Sequence, residues 1–291
     1  MTMEAIRVAL LGHGEVGRVL AAGLAGRARL RVYDPACPPM STWHGPPRDP
    51  ACPPASTRHG PPREPGAVEL VARNEDAVRG ADLVIAVTTG ADSLTACAES
   101  RPHLEPGALY ADLSTCAPGD KRRIAELLEP AGAAVVDGAI MAPIPLRGLA
   151  TPILASGARA ERFAALAGRL GLSVTPIGGL PGDAAARKLL RSVLVKGLSA
   201  LVIEAQRAAR EAGLGEWFWA HLLETVTAAD EEFVLRLLKG AGQHGARRVH
   251  EMEAAARMLR ELGVPGTMTE ATAATLDEVT RTGVPPVPDR S

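Results

Sequence analysis

The chain has 291 residues, of which 46% are hydrophobic and 22% charged, and this allows one large or two ordinary domains with a sizeable core. Its 32 basic residues balance 33 acidic ones, which excludes the strong basic excess of proteins that bind nucleic acids or anionic membranes. The N-terminal apolar run is too short for a membrane span and has no basic leader, and four cysteines do not indicate a disulfide scaffold. We therefore expect a cytoplasmic protein that binds neither nucleic acid nor a membrane.

Short apolar runs alternate with helical stretches in the first part of the chain. Several of these runs are apolar throughout, as in strands that helices cover on both faces. The alternation predicts an α/β domain of Rossmann type with a doubly wound, mostly parallel sheet. The strand candidates are 6–11, 30–33, 67–72, 82–89, 108–114, 133–140, 152–156 and 173–177.

The pattern changes after residue 182, where long helical segments replace the short runs. A helix predicted from Ala184 to Gly213 is apolar around most of its circumference, so we expect it to be buried in a domain core or between subunits. The chain therefore divides into the α/β domain at 1–182 and an all-helical domain at 183–291, joined through this long helix. Further helices are predicted at 216–238, 246–262 and 267–282.

A tandem repeat interrupts the first domain at residues 34–63. "DPACPPMSTWHGPPR" is followed at once by "DPACPPASTRHGPPR". The many prolines and the absence of helical or strand periodicity indicate a duplicated surface insertion with no core of its own. Its spacing lacks the short ligand pairs of compact zinc sites, so we predict no metal there. The residues that could otherwise ligate zinc are Cys37, His44, Cys52 and His59.

A phosphate-binding signature lies between the first strand and the first helix. Gly12, Gly14 and Gly17 have G-x-G-x-x-G spacing, which permits a tight turn, a close approach of pyrophosphate and close packing of the helix. Such glycines also occur in ordinary turns, but Asp34 ends the next strand, where an acidic side chain accepts hydrogen bonds from the adenosine ribose. A dinucleotide is therefore predicted to contact Gly12, His13, Gly14, Glu15, Val16, Gly17, Asp34, Thr88 and Thr89.

Asp34 also bears on the choice between the two nicotinamide dinucleotides. A carboxylate at this position repels a 2′-phosphate, so NAD is favoured. Three arginines lie near it in sequence, and one of them could accommodate NADP, so NADP remains possible. These arginines are Arg31, Arg48 and Arg63.

Four stretches resemble the β-hydroxyacid dehydrogenase and 6-phosphogluconate dehydrogenase superfamily. The C-terminal sequence is similar to a branch of it with its own helical domain. This resemblance implies that Asp112, Ser114 and Thr115 line the nicotinamide and substrate cleft. It also implies that Lys188 is the catalytic lysine and that Ser192 takes the position of an amide four residues later. The stretches are "GHGEVG", "ADLSTCAP", "VVDGAIMAP" and "GDAAARKLLRSVLVKG".

The chain departs from the family where the substrate carboxylate is bound. The usual D-A-P-V-S-G-G run reads D-G-A-I-M-A-P from Asp137 to Pro143. Met141 takes the serine position and Ala142 the first glycine position, so we expect these two residues to contact the substrate. The identity of the substrate therefore does not carry over from the family.

One stripe of the long helix could carry the proton chemistry. Lys188, Ser192 and Lys196 follow one another at four-residue spacing. A lysine on an apolar helix loses its proton readily and can exchange it with a substrate oxygen, although its ammonium group could instead reach solvent. For Lys196 we expect a structural role or a contact with an anionic group of the substrate.

The segment "HGARRVHE" (244–251) concentrates basic side chains. Here His244, Arg247 and Arg248 could bind a carboxylate or phosphate of the substrate. A solvated helix face, paired with Glu251 and Glu253, is an equally good interpretation. The aromatic segment 217–219, with His221, is expected to pack in the helical core.

These patterns together predict an enzyme, an NAD(P)-dependent oxidoreductase. We expect it to interconvert an alcohol and a carbonyl on a small 3-hydroxyacid-like substrate, as a homodimer formed through its C-terminal helices. Residues 1–182 would be the dinucleotide-binding domain and residues 183–291 the substrate and dimerisation domain. One alternative is an imine reductase on the same scaffold, although those relatives usually have an acid or a tyrosine where Lys188 stands. Another is a non-catalytic nucleotide-binding protein, which the altered carboxylate-binding run favours and the lysine stripe opposes.

Overall fold

The computed structural model describes residues 5–37 and 68–288, and the chain forms two compact units, Met1–Arg191 and Ser192–Ser291. Most of the proline-rich insertion lies outside the described residues, and with it the zinc candidates His44, Cys52 and His59 and the arginines Arg48 and Arg63. Among the described cysteines, Cys37 is disulfide-bonded, whereas Cys97 and Cys116 are free.

The first unit is built on an eight-stranded sheet. Its order is β3-β2-β1-β4-β5-β6-β7-β8, and every neighbouring pair is parallel except β6 and β7. This arrangement confirms the predicted mostly parallel, doubly wound sheet. The strands are β1 (Arg7–Leu11), β2 (Arg29–Tyr33), β3 (Val68–Leu70), β4 (Leu83–Ala86), β5 (Leu109–Asp112), β6 (Ala134–Ile140), β7 (Ile153–Ser156) and β8 (Val174–Gly178).

Helices cover both faces of this sheet. Because successive side chains of a strand point to opposite faces, Leu10 of β1 lies in one apolar cluster and Leu11 in the other. Both clusters are closed to solvent, as the apolar character of the strands predicts. The helices are α1 (Glu15–Leu24), α2 (Asn74–Val78), α3 (Ser93–Ser100), α4 (Pro118–Leu128), α5 (Ile144–Arg147), α6 (Ala160–Arg169) and the first turns of α7 (Asp183–Glu211).

The second unit contains the rest of α7 and further helices. The single helix predicted at 216–238 is wrong, because two helices meet there. The carboxylate of Asp230 accepts a hydrogen bond from the backbone N–H of Phe233 (2.8 Å) and so begins a new helix. The helices are α8 (Gly215–Thr227), α9 (Glu231–Gln243), α10 (Gly245–Glu261) and α11 (Thr267–Thr282).

Large apolar side chains of the second unit remain exposed. Its one buried apolar cluster, among the described residues, consists of Ala208, Leu259 and Val264. Val193 of α7 is 75% exposed and Trp217 of α8 is 63% exposed. The expectation that segment 217–219 packs in a core is therefore wrong for the single chain, and so is burial of α7 in a domain core.

No helix within the described parts of the chain is both long and apolar enough to cross a membrane.

Candidate active site

The turn after β1 can exist only with glycine at two of its three signature positions. Gly12 has a φ of +103°, and a Cβ atom there would lie 2.7 Å from the carbonyl oxygen of Val87. A Cβ atom at Gly17 would clash with the carbonyl oxygen of Gly12, because α1 packs directly on the turn. Gly14 has open space where a side chain would project. The turn therefore leaves a backbone surface that a phosphate group can approach.

The N-terminus of α1 opens onto the same surface. Gly14 precedes the first helical residue, Glu15, and no side chain caps the helix there. Both residues are exposed. Backbone N–H groups at such an end, together with the positive end of the helix dipole, suit an anion. The turn and the helix end thus fit the pyrophosphate of a dinucleotide.

Asp34 is fixed beside this turn, as its position after β2 predicts. One carboxylate oxygen accepts a hydrogen bond from the backbone N–H of His13 (2.6 Å), and the other accepts one from the N–H of Ala36 (2.8 Å). Arg31, one of the candidates for binding a 2′-phosphate, instead pairs with Glu69 (3.1 Å). The described residues therefore place a carboxylate, and not Arg31, beside the dinucleotide turn.

His13 is a buried side chain within the turn. Its Nδ1 atom has no hydrogen-bond partner among the described residues. Burial lowers the pKa of this imidazole below its ordinary value, the charge of Asp34 opposes that shift, and the charge of Arg18 adds to it. The imidazole is therefore neutral at neutral pH, and one of its ring nitrogens is buried without a hydrogen bond.

Hydroxyl groups from two neighbouring loops meet at the carboxyl edge of the sheet. The hydroxyl oxygens of Thr88, after β4, and Ser114, after β5, lie 3.0 Å apart. Gly90 packs against the carbonyl group of Thr115 so closely that a Cβ atom would not fit. Thr89 and Thr115 are exposed beside this contact. Because the order of the sheet reverses at β1 and β4, this edge is where ligands bind in such folds.

The side chain of Asp112 does not line a cleft, contrary to the expectation. It is 1% exposed, and its carboxylate lies 3.1 Å from the ammonium group of Lys121, which is equally buried. Lys121 also donates a hydrogen bond to the carbonyl oxygen of Asp112 (2.7 Å). Sequence reasoning missed this lysine, although it shares the apolar stripe of α4 with Ile124 and Leu128, and that spacing was a usable signal.

A second buried carboxylate connects this pair to α7. Asp137 lies 3.4 Å from the ammonium group of Lys121. Its other oxygen accepts hydrogen bonds from the backbone N–H groups of Gly182 (2.9 Å), Ala184 (3.1 Å) and Ala185 (3.0 Å). Asp137 therefore caps the helix that begins at Asp183.

The candidate catalytic stripe follows this cap on α7. Lys188 lies one turn after Ala185 and is half-buried, as is Ser192, while Lys196 is exposed. Met141 and Ala142 follow β6 in the first unit and are also half-buried. Ser192 and Lys196 belong to the second unit.

The basic segment at the start of α10 has partners of its own. Arg247 forms an ion pair with Glu251, and the Nδ1 atom of His250 lies 3.3 Å from a carboxylate oxygen of Glu253. The guanidinium group of Arg248 packs over Gly240. His244 is exposed immediately before the helix. Arg247 and His250 thus have the pairing of a solvated helix face.

The described residues contain no group of three His, Cys, Asp or Glu side chains that could hold a metal ion.

Comparison with protein families gives two matches along the chain. The NAD-binding domain of 6-phosphogluconate dehydrogenase matches residues 7–144, and a domain of unknown function, DUF1932, matches residues 209–279. The first match contains the glycine turn and Asp34. The second contains α8, α9 and α10 and most of α11.

Solved structures similar to this chain extend over nearly its whole length. A conserved hypothetical protein from Sinorhizobium meliloti is 30% identical, with 97% of this chain and 90% of that chain covered and a TM-score of 0.57. A conserved protein described as structurally similar to 3-hydroxyacid dehydrogenases is 29% identical, with coverages of 95% and 97% and a TM-score of 0.56. An imine reductase from Myxococcus stipitatus, in complex with NADP+, is 19% identical, with 95% of each chain covered and a TM-score of 0.72, and it shows the fold alone.

Proposed function

Because the chain belongs to the β-hydroxyacid dehydrogenase and 6-phosphogluconate dehydrogenase superfamily, we propose that it is an NAD(P)-dependent oxidoreductase acting on a small 3-hydroxyacid-like substrate. The reaction would interconvert an alcohol and a carbonyl group. The observation that carries this proposal is the glycine turn with Asp34 fixed beside it, at the sheet edge where Thr88 and Ser114 meet.

The residues of the first unit would hold the dinucleotide. The backbone of Gly12 to Gly17, with His13, Glu15 and Val16 between the glycines, would bind the pyrophosphate, and the Asp34 carboxylate would accept hydrogen bonds from the adenosine ribose. Thr88 and Thr89 would contact the part of the cofactor that extends along the sheet edge. Bound there, the nicotinamide ring would supply hydride exchange with a substrate carbon.

Lys188 is proposed to hold the proton that the reaction needs. In the reducing direction its ammonium group would donate a proton to the oxygen of the carbonyl group, and in the other direction its amine would accept that proton from the alcohol. The hydroxyl groups of Ser114, Thr115 and Ser192 would hydrogen-bond the substrate and orient it. In both directions the proton therefore moves between the side-chain nitrogen of Lys188 and the reacting oxygen of the substrate.

The acid group of the substrate would contact the altered run after β6. Met141 and Ala142 offer apolar and backbone contacts where the family has serine and glycine, which favours a substrate different from those of the standard members. Cationic side chains for a carboxylate would come from Lys196, His244, Arg247 and Arg248. The ion pair of Arg247 with Glu251 would have to be exchanged for the substrate, so Arg247 is the weakest member of this set.

We also propose that the protein is a homodimer through its C-terminal helices. The second unit buries a small apolar cluster while α7, α8 and α9 expose large apolar side chains, including Val193, Trp217 and Leu237. A unit of this length cannot be stable with most of its apolar side chains in water. A second copy would present the same surfaces, and a symmetric interface between them would cover both.

An imine reductase is the second candidate. The imine reductase from Myxococcus stipitatus has a higher TM-score than the solved structures closer in sequence, 0.72 against 0.57 and 0.56. Lys188 argues against it, because the family resemblance places an acid or a tyrosine there in such enzymes. A non-catalytic nucleotide-binding protein would keep the glycine turn and need no proton donor.

A panel of substrates tests these candidates directly. Oxidation of NADH and NADPH would be followed with keto acids, semialdehydes and cyclic imines. We expect turnover with a keto acid or semialdehyde. Turnover with cyclic imines alone would favour the imine reductase, and tight binding of dinucleotide without turnover of any member would contradict the oxidoreductase.

The role of Lys188 is tested on the substrate that this panel identifies. Lys188→Met should preserve folding and dinucleotide affinity and lower kcat by about 10²–10⁴-fold, the usual contribution of a general acid or base. Lys196→Met should lower it less, and Lys239→Met, an exposed lysine of α9, serves as the control for loss of a positive charge. Nearly full turnover in the Lys188 variant would contradict the assignment.

A further inference from the structure

Lys121 occupies a central position between two segments of the proposed active site. Its side chain is 1% exposed, and its ammonium group contacts the carbonyl oxygen of Asp112 (2.7 Å), the Asp112 carboxylate (3.1 Å) and the Asp137 carboxylate (3.4 Å). The contact with the carbonyl oxygen is a hydrogen bond and the two carboxylate contacts are ion pairs, and Oδ1 of Asp137 accepts no hydrogen bond within the described residues. Lys121 is therefore linked to both buried carboxylates inside the first unit.

The Asp112 carboxylate holds the first of these segments. Its second oxygen accepts a hydrogen bond from the backbone N–H of Ser114 (3.0 Å), and the Ser114 hydroxyl lies 3.0 Å from that of Thr88. The turn with Ser114 and Thr115 thus has its backbone fixed to a buried anion. The two hydroxyl groups proposed to orient the substrate depend on that turn.

The Asp137 carboxylate holds the second segment. It accepts hydrogen bonds from three backbone N–H groups at the start of α7 and from the hydroxyl group of Ser156 (3.0 Å). Lys188 lies on the turn of α7 that follows. A displacement of this cap would therefore move the proposed proton donor.

Electrostatics explain why the three charges depend on one another. Two carboxylates and one ammonium group leave a formal charge of −1, which the hydrogen bonds and the positive end of the α7 dipole offset at Asp137. Without Lys121 the two carboxylates would face each other in a buried space. Since a buried ion pair adds little net stability compared with well-packed apolar side chains, stability alone does not account for the arrangement.

We propose that Lys121 is a positioning residue that fixes the Ser114–Thr115 turn and the start of α7 relative to each other. The catalytic consequence rests on the proposed function, because it requires Lys188 and the Ser114 hydroxyl to act on one substrate. The mechanical consequence does not, because it concerns two segments of the protein without any ligand.

The experiment compares Lys121→Met with Leu128→Ala in the full chain. Leu128 is fully buried on the same helix, and its apolar side chain can pair with neither carboxylate, so its variant controls for loss of stability alone. Amide hydrogen exchange would be measured without ligand at Ser114 and at residues 182–185. In Lys121→Met we expect exchange about tenfold faster at both segments than in the control, the effect of one lost buried hydrogen bond.

Kinetics on the identified substrate give the second measurement. Lys121→Met should lower kcat by about 10²-fold, the effect of a misplacement of about 1 Å, with little change in KM or dinucleotide affinity. Leu128→Ala should retain kcat at a temperature where it is folded. If Lys121→Met does not fold, Asp112→Asn replaces it, since this change keeps the side-chain shape and removes one partner of the ammonium group. The same acceleration is then expected at residues 182–185, which Asp112 itself does not contact.

The outcomes separate this inference from the proposed function. Exchange at residues 182–185 equal to that of the control would overturn the positioning role, whatever the turnover. Faster exchange at both segments without turnover of any substrate would leave the coupling intact and overturn the oxidoreductase. Loss of turnover in Lys188→Met together with normal kcat in Lys121→Met would leave the oxidoreductase intact and overturn the catalytic consequence of the positioning role.

Discussion

The two units of the chain differ in how much of their own interior they supply. In the first unit, both faces of the sheet are covered, and even the charged side chains inside it have partners, as Lys121 does with Asp112 and Asp137. In the second unit, the apolar side chains of α8 and α9 largely face outward. A parallel sheet is completed by its own crossover helices, whereas a helix pair with apolar residues all round needs further surfaces. One chain therefore supplies the interior of the first unit, whereas large apolar side chains of the second unit stay uncovered within it.

The largest effect is expected on the dimer dissociation constant, which substitutions in the second unit should change and a substitution in the first unit should not. Leu223 and Leu237, both 50% exposed in the second unit, would be replaced together by Asp. A symmetric dimer would then bury four unpaired charges, each costing at least about 2 kcal/mol, so the dimer dissociation constant should rise by at least about 10⁵-fold. Analytical ultracentrifugation measures this change. Leu146→Asp, the same replacement at an 80% exposed site of the first unit, is the control and should leave association unchanged.

The dependence of stability on concentration checks the same comparison in the unaltered protein. If association completes the second unit, Tm should rise with protein concentration. A monomer at micromolar concentration with a constant Tm would show that the second unit is stable as it stands.

A smaller effect is expected inside the second unit, at Glu204 of α7. Its buried carboxylate accepts hydrogen bonds from the N–H groups of Met268 and Thr269 (both 2.8 Å) and from the Thr269 hydroxyl (2.6 Å), and so caps α11. Glu204→Gln should lower stability by about 1.5–3 kcal/mol, since it removes a charged acceptor. Chemical denaturation measures this loss. Glu270→Gln, at an exposed site of the same helix, should change stability little.

The same carboxylate predicts a dependence on pH. Burial raises the pKa of Glu204, but the hydrogen bonds from Thr269 and Met268 together lower it by more than burial raises it. The net pKa of Glu204 therefore lies below its ordinary value. Its contribution to stability is therefore complete above the ordinary glutamate pKa and disappears as the pH falls through the lowered one. The difference in unfolding free energy between the protein and Glu204→Gln should shrink over that acidic range, and a constant difference would contradict the cap.

An effect of about tenfold is expected at Asp34 and should be confined to the first unit. Asp34→Ala removes the acceptor for the ribose hydroxyls and the repulsion of a 2′-phosphate. We expect NAD affinity to fall about tenfold, the value of one charge-assisted hydrogen bond, and the preference for NAD over NADP to narrow or reverse. Calorimetry with both dinucleotides measures it. Tighter binding of NADP than of NAD to the unaltered protein would contradict the assignment.

The smallest effect is expected on the solvated face of α10. Arg247→Ala breaks an exposed ion pair and His250→Ala an exposed contact with Glu253, so each should change stability by no more than about 0.5 kcal/mol. Steady-state kinetics decides between the two interpretations of this segment. An unchanged KM supports the solvated face, whereas a tenfold or larger rise for Arg247→Ala would assign that residue to the substrate.

The sheet and the dinucleotide turn were predictable because local sequence determines them. Each strand is a short apolar run, and a tight strand-to-helix turn with a positive φ leaves glycine as the residue that fits at Gly12. Asp34 followed from its place at the end of the second strand. These signals lie within a few residues of the structure that they predict.

Other features depended on information that a local pattern does not contain. The helix break before Asp230 follows two alanines, and neither glycine nor proline marks it, so the helical period runs through it. The apolar character of Trp217 does not distinguish a domain core from a surface that a second subunit covers. The buried charges of Lys121, Asp112 and Asp137 come from three separate elements, and only the fold brings them together.

That buried charge cluster should leave a trace in the sequences of related chains. A lysine at position 121 without both carboxylates would bury an uncompensated charge, and either carboxylate without the lysine would face the same penalty of several kcal/mol. Single replacements at these positions should therefore be removed by selection, while joint replacement by apolar residues can persist. We expect positions 112, 121 and 137 to change together across homologues, so that their covariation identifies the chains that share this arrangement.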